Sequence, residues 1–301
     1  MSIKDSMRGF VGTLDFVQDP FYVAVTKDSA YAYASFYYAG QLAQIKTSTG
    51  DFKIFDVGKD PLDVAVSESG RVVYVANRGS GTISVVDTDR NEKRDIVVEG
   101  GPSYVELSRD ERYLYVVNRF EFELLVVDVA RENVVRKVSI SGLANGIAVN
   151  PHRPEIYLTI SGVLMLVNTE TWTVERIPIA EGASAITLDK AGGYAYIASH
   201  VLRGKTIEGR VLKFDISNRE FKSVVVGANL SGIALSNDSR LAFITDNFND
   251  KVFAVSTETL KVEREFAVGN EPKGVAISRY SGFVFVCNSQ GRSMTVFDPA
   301  A

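Results

Sequence analysis

The sequence predicts an all-β fold, a seven-bladed β-propeller of four-stranded antiparallel blades, from a repeat, an aromatic marker within it and four strand-like runs per repeat. The last residues of the seven "VAV"-like triplets are Val25, Val66, Leu107, Val149, Leu188, Leu235 and Ile277, spaced 39 to 47 residues apart. Repeats of this length read as propeller blades or solenoid units. Eight residues after each triplet stands an aromatic: Tyr33, Tyr74, Tyr115, Tyr157, Tyr196, Phe243 and Phe285. Aromatics make up 10% of the chain, so their presence in all seven units is periodicity and not composition.

Within each unit, apolar and polar residues alternate over short runs separated by Gly, Asn, Asp or Ser turns, which is the chemistry of strands and hairpins. Unit two predicts strands over Asp63 to Ser67, Val72 to Ala76, Thr82 to Asp87 and Lys93 to Val98. A lone blade exposes both faces, whereas a ring buries them, so residues 1–301 are expected to form one propeller domain. Unit seven ends at Asp298 after three strands. Its fourth is expected from Phe10 to Pro20, so that the N-terminal strand completes the last blade and removes a free edge.

The 301 residues carry 33 Lys and Arg against 37 Asp and Glu, a net charge of −4, which argues against nucleic acid as a partner. A single cysteine, Cys287, precludes an internal disulfide and a cysteine zinc cage. The start has charges at Lys4, Asp5 and Arg8 and lacks the apolar run of a secretory signal. No segment is apolar for the length of a membrane span. The expectation is a cytoplasmic monomer, although a secreted chain cloned without its signal would read the same.

"YVAN" at Tyr74 to Asn77 and "YVVN" at Tyr115 to Asn118 are each followed by a hairpin and a "VVD". These repeats resemble those of YVTN-family β-propellers, and unit seven keeps the pattern as "FVCN" at Phe285 to Asn288. The resemblance covers essentially the whole chain and implies a seven-bladed propeller. Its functional implication is broad, because similar repeats occur in surface-layer proteins, binding modules and lactonase-like enzymes.

Units differ in length chiefly between the second and third strands, where unit four is short and unit five long. That connection and the one entering the inner strand share a rim, and variable loops on a rigid scaffold are where function is expected. The unit-five stretch, Ser199 to Arg210, carries His200, Arg203, Lys205 and Arg210 and reads as a loop. On the same rim, units one to three present Tyr22, Phe36, Tyr37, Tyr38, Asp63, Arg78, Tyr104, Arg119 and Phe120, while later units present small residues. Aromatics and arginines clustered this way read as a recognition surface. Asparagines at the ends of second strands, such as Asn77 and Asn118, read as turn formers.

The centre of the inner triplet is Ala or Thr except at Glu106. A carboxylate there is expected to face a wet channel without a shifted pKa, or to pair with an Arg or Lys of a neighbouring blade. Glu106 and His200 are the candidate catalytic groups. His152, the other histidine, falls on the opposite rim. No cofactor is expected; only a lactonase-like reading would call on Ca or Zn, with Glu106, Asp63 and Asn145 as weak ligand candidates. The favoured reading is a non-enzymatic binding propeller for a protein segment or an anionic small molecule. A lactone or ester hydrolase at the channel mouth is the alternative, and a cell-envelope scaffold is disfavoured by the missing signal.

Overall fold

The computed structural model describes residues 11–179 and 182–301. Met1 to Phe10, including the charged start and the first residue of the expected closing strand, lies outside the described residues. Seven four-stranded antiparallel sheets follow one another around a ring. In blade 2 the strands are Pro61–Val66, Val72–Asn77, Thr82–Asp87 and Glu92–Val97, each within two residues of its expected limits. The inner strands of the other blades are Pro20–Val25, Pro102–Leu107, Ala144–Val149, Gly182–Leu188, Leu230–Leu235 and Pro272–Ile277. Among the described residues, no helix is long and apolar enough to cross a membrane.

The core consists of seven hydrophobic clusters, one in each interface between adjacent blades. This arrangement accounts for the aromatic marker. Each marker ring is almost completely buried, at most 5% exposed, and packs toward the following blade. Its cross-strand partner is the triplet centre, as in Ala24↔Tyr33, Ala65↔Tyr74 and Ala276↔Phe285. Paired residues project from the same face, so a small residue opposite leaves room for the ring. In three of the five tyrosine markers the hydroxyl, which needs a partner once buried, reaches the threonine that follows the next blade's third strand. Tyr33 meets Thr88 at 3.4 Å, and Tyr115 and Tyr196 engage Thr169 and Thr257 in the same way.

Closure follows the expected route. Gly12–Asp15 pairs antiparallel with Ser293–Phe297, from Gly12↔Val296 to Asp15↔Ser293, and completes blade 7. Phe16, 8% exposed, then enters the cluster between blades 7 and 1 and packs edge-on to Phe36 at 5.1 Å. Deleting residues 1–17 is expected to lower the midpoint of a single cooperative thermal transition by about 10 °C or more, because every blade depends on its neighbours. An unchanged midpoint would contradict this closure.

Candidate functional site

Each of the seven inner strands begins with a register shift. In blades 1 to 3 it falls between Pro20 and Val23, Pro61 and Val64, and Pro102 and Tyr104, with equivalent shifts in blades 4 to 7. A β-bulge re-aims a side chain. Here the residues just before the regular strand, Tyr22, Asp63, Tyr104, Gly146, Ala185, Gly232 and Gly274, line one cavity of about 210 Å³ at the channel mouth. Large and polar residues come from blades 1 to 3, and small ones from blades 4 to 7. Crowding at the axis dictates the small half. A Cβ on Gly232 would lie 2.5 Å from the Lys273 carbonyl oxygen, and one on Gly274 would lie 2.7 Å from the Tyr22 Cα.

Hydrogen bonds fix the polar half. Asp63 accepts from the Val64 amide at 2.9 Å and, across the blade boundary, from the Val105 amide at 3.0 Å. Asn145 donates to the Ala183 carbonyl at 2.9 Å and accepts from the Arg119 guanidinium at 3.2 Å. The rings of Tyr22 and Tyr104 meet edge to face at 5.9 Å, with their hydroxyls 3.4 Å apart. Burial raises both phenols, Tyr22 well above its ordinary range.

Glu106 lines both this cavity and a larger one of about 610 Å³ that opens on the opposite rim, so it stands between the two ends of the channel. Its carboxyl makes no hydrogen bond or ion pair with any described residue, while its backbone pairs with Tyr115 in the sheet. Burial in the channel wall, then the charge of Asp63, pushes its carboxyl up to about 8. Asp63 is itself raised to about 6 by burial, against the pull of its two amide donors. The expectations of an unshifted pKa or a basic partner are both corrected, because the charged neighbour is another acid.

Outside the mouth lies an arc of aromatic rings and cations. Tyr37 contacts Phe21 at 5.0 Å and Tyr38 at 4.9 Å. The Arg78 guanidinium lies 5.3 Å from the Tyr37 ring and 5.9 Å from that of Phe120, and it donates to the Tyr37 hydroxyl. Lys273 of blade 7 lies 6.0 Å from Phe21. Tyr38 and Phe120 are 72% and 59% exposed. Phe21 and Lys273 were missed by the sequence reading; their signal was adjacency, Phe21 preceding Tyr22 and Lys273 following the proline that opens its inner strand. Phe36 is a correction: at 2% exposure it belongs to the core, because it faces the closing strand. The second-strand asparagines are also buried and hold the connection into the inner strand. Asn118 accepts from the Gly101 amide at 2.7 Å, and a Cβ on Gly58 would collide with Asn77 at 2.6 Å.

Residues Ser199 to Arg210 form a projecting ladder instead of a loop. Strands Tyr194–Arg203 and Thr206–Asp215 stay paired out to Arg203↔Thr206, with Gly204 and Lys205 at the tip. Glu208 offsets two of its cations, lying 2.6 Å from Arg210 and 3.6 Å from Arg203. His200 contacts the Ser184 hydroxyl at 3.1 Å and is absent from the channel lining, so the structure does not bring it to Glu106. His152 on the opposite rim meets the Lys190 carbonyl at 2.9 Å.

Residues 46–155 match the family model described as YNCE-like beta-propeller, a span that holds blades 2 and 3 whole. A solved structure titled "Kuenenia stuttgartiensis Hydrazine Synthase" superposes with a TM-score of 0.85 at 18% identity, covering 100% of this chain and 99% of that one. At that identity the likeness is one of fold. No curated protein matches the sequence. The chain is a seven-bladed β-propeller.

Among the described residues of this propeller, no three His, Cys, Asp or Glu side chains come together in a way that could hold a metal ion. Glu106, Asp63 and Asn145 do line one cavity, with Asp63 and Asn145 already tied to neighbouring blades. The site therefore offers a proton-holding carboxyl, a pair of phenols and a basic aromatic rim. A carboxyl raised in the folded state binds more protons there than in the unfolded chain, so its contribution to stability falls as pH rises. For Glu106 that fall runs from its ordinary 4.5 to about 8. Glu106→Gln is expected to leave the melting temperature nearly unchanged near pH 5 and raise it by several degrees near pH 9. A difference that stays constant over that range would contradict the raised carboxyl.

Proposed function

We propose that the protein is a binding propeller whose partner is a protein segment lying along the Lys273, Phe21, Tyr37, Arg78 and Phe120 arc, with one group of that segment entering the channel mouth. One observation carries this reading: the bulge ring is large and polar only in blades 1 to 3, and the same blades hold most of the exposed aromatic and basic rim. Aromatics and arginines at such a place give contact area and directed hydrogen bonds at low entropic cost. A small anion fits less well, since the cavity at the mouth is lined by the acids Asp63 and Glu106 and by no Lys, Arg or His. The Arg203 to Arg210 cations of the blade-5 arm are a secondary contact at most, because Glu208 lies against two of them, Arg203 and Arg210.

Hydrolysis of a lactone or ester is the second reading, favoured by a Glu106 carboxyl that still holds its proton near neutral pH and could act as a general acid. Loss of turnover in Glu106→Gln on a lactone panel would support it.

The binding reading is tested by panning a random peptide library against the intact protein and against Arg78→Ala/Phe120→Ala. The intact protein is expected to enrich a common motif that the double variant, folded to the same circular dichroism, retains at least about tenfold less well. Equal retention, or no enrichment, would contradict docking on this arc.

A further inference from the structure

We propose that the channel mouth is a site for a primary alkylammonium group, held between the Tyr22 and Tyr104 rings above and the carboxyl groups of Asp63 and Glu106 below. This rests on the reading of the mouth as a binding site and names the chemistry that enters it. The cavity is lined by side chains of every blade, and none of them is Lys, Arg or His. Its two acids therefore share the cavity without a cation, and the Glu106 carboxyl has no hydrogen-bond or ion-pair partner among the described residues.

On the mouth side, the groups that share the cavity with Glu106 leave its charge uncompensated. Tyr22 of blade 1, Asp63 of blade 2 and Asn145 of blade 4 face it from above, while blades 5 to 7 contribute Ala185, Gly232 and Gly274. Arg119 and Arg78 bear on the tyrosines at the rim and not on the carboxyls. Below, Asp189, Lys190 and Arg279 line the opposite cavity that Glu106 shares.

An ammonium suits this arrangement better than a metal ion. It needs a few acceptors at loose geometry, which Glu106 and the phenol oxygens supply, and it gains from the faces of aromatic rings. A volume of about 210 Å³ admits an ammonium on a short methylene chain, the chemistry shared by a lysine side chain and a free alkylamine. Because Glu106 holds its proton up to about pH 8, the ammonium displaces that proton on binding, and affinity falls by roughly tenfold per pH unit below that value.

The test is calorimetric titration, near pH 9 and near pH 6, of n-butylammonium chloride and of an end-capped Gly-Lys-Gly peptide, with n-butanol as neutral control. Either amine is expected to bind near pH 9, weaken at least about tenfold near pH 6 and release a proton, with butanol inert. Butylammonium alone would mark a free amine as the source; the peptide, alone or more tightly, would mark a partner's lysine. Binding is expected to be lost in Glu106→Gln and weakened in Tyr22→Leu, both with wild-type circular dichroism. Failure of both amines, equal binding by butanol, or unchanged affinity in Glu106→Gln would overturn the site. Rim-selected peptides that still bound Glu106→Gln would then show that the arc stands without it.

Discussion

Seven inner strands cannot approach one axis unless their side chains shrink or turn aside, and most of this molecule follows from how that crowding is relieved. Small triplet centres at Ala24, Ala65 and Ala148 let the inner strands close up, and the same small residues leave space for the marker rings opposite. The bulge at the start of each strand turns one further residue toward the channel. Where that residue is Gly232 or Gly274, the next blade's backbone fills the space a Cβ would need. Where it is Tyr22, Asp63 or Tyr104, a side chain projects into the mouth instead.

On the proposed binding reading, this division separates stability from recognition. The ring is held by seven interblade clusters and by polar links such as Asp63 to Val105, with the final link supplied by the strand Gly12–Asp15. On the proposed reading, recognition is left to groups that the ring does not need: the Tyr22 phenol, the Arg78 and Phe120 contacts of the rim, and Glu106. A carboxyl placed in a channel wall beside another acid is costly to ionise, and a fold that keeps it forgoes stability at high pH. Such a group is more readily explained by what it binds than by what it packs against.

The fold was legible because its constraints are periodic. One aromatic repeats in all seven units and a small residue opposite it in six, and any drift in "YLTI" or "YIAS" leaves those two positions intact. The mouth was legible for the same reason, as the position before each inner strand. What escaped depended on pairing between distant segments. Phe36 looks like a rim residue until the closing strand covers it with Phe16. The stretch from Ser199 to Arg210, rich in charge and interrupted by glycine, looks like a loop because its pairing through Arg203↔Thr206 is local to an arm that no repeat predicts. That Asp63 acts on Glu106 as a like charge depends on which blade leans toward it across the channel; the sequence grouped the two only as candidate metal ligands.

The central claim is that the large half of the bulge ring serves binding while the small half serves closure, and one contact between blades 7 and 1 tests both. Thermal unfolding of Tyr22→Ala and of Gly274→Ala probes that contact from its two sides. The account predicts that losing the Tyr22 side chain moves the midpoint by no more than a few degrees. One methyl added at Gly274, 2.7 Å from the Tyr22 Cα, is predicted to lower it further, by the equivalent of about 1–3 kcal/mol. A large loss in Tyr22→Ala with Gly274→Ala tolerated would contradict it.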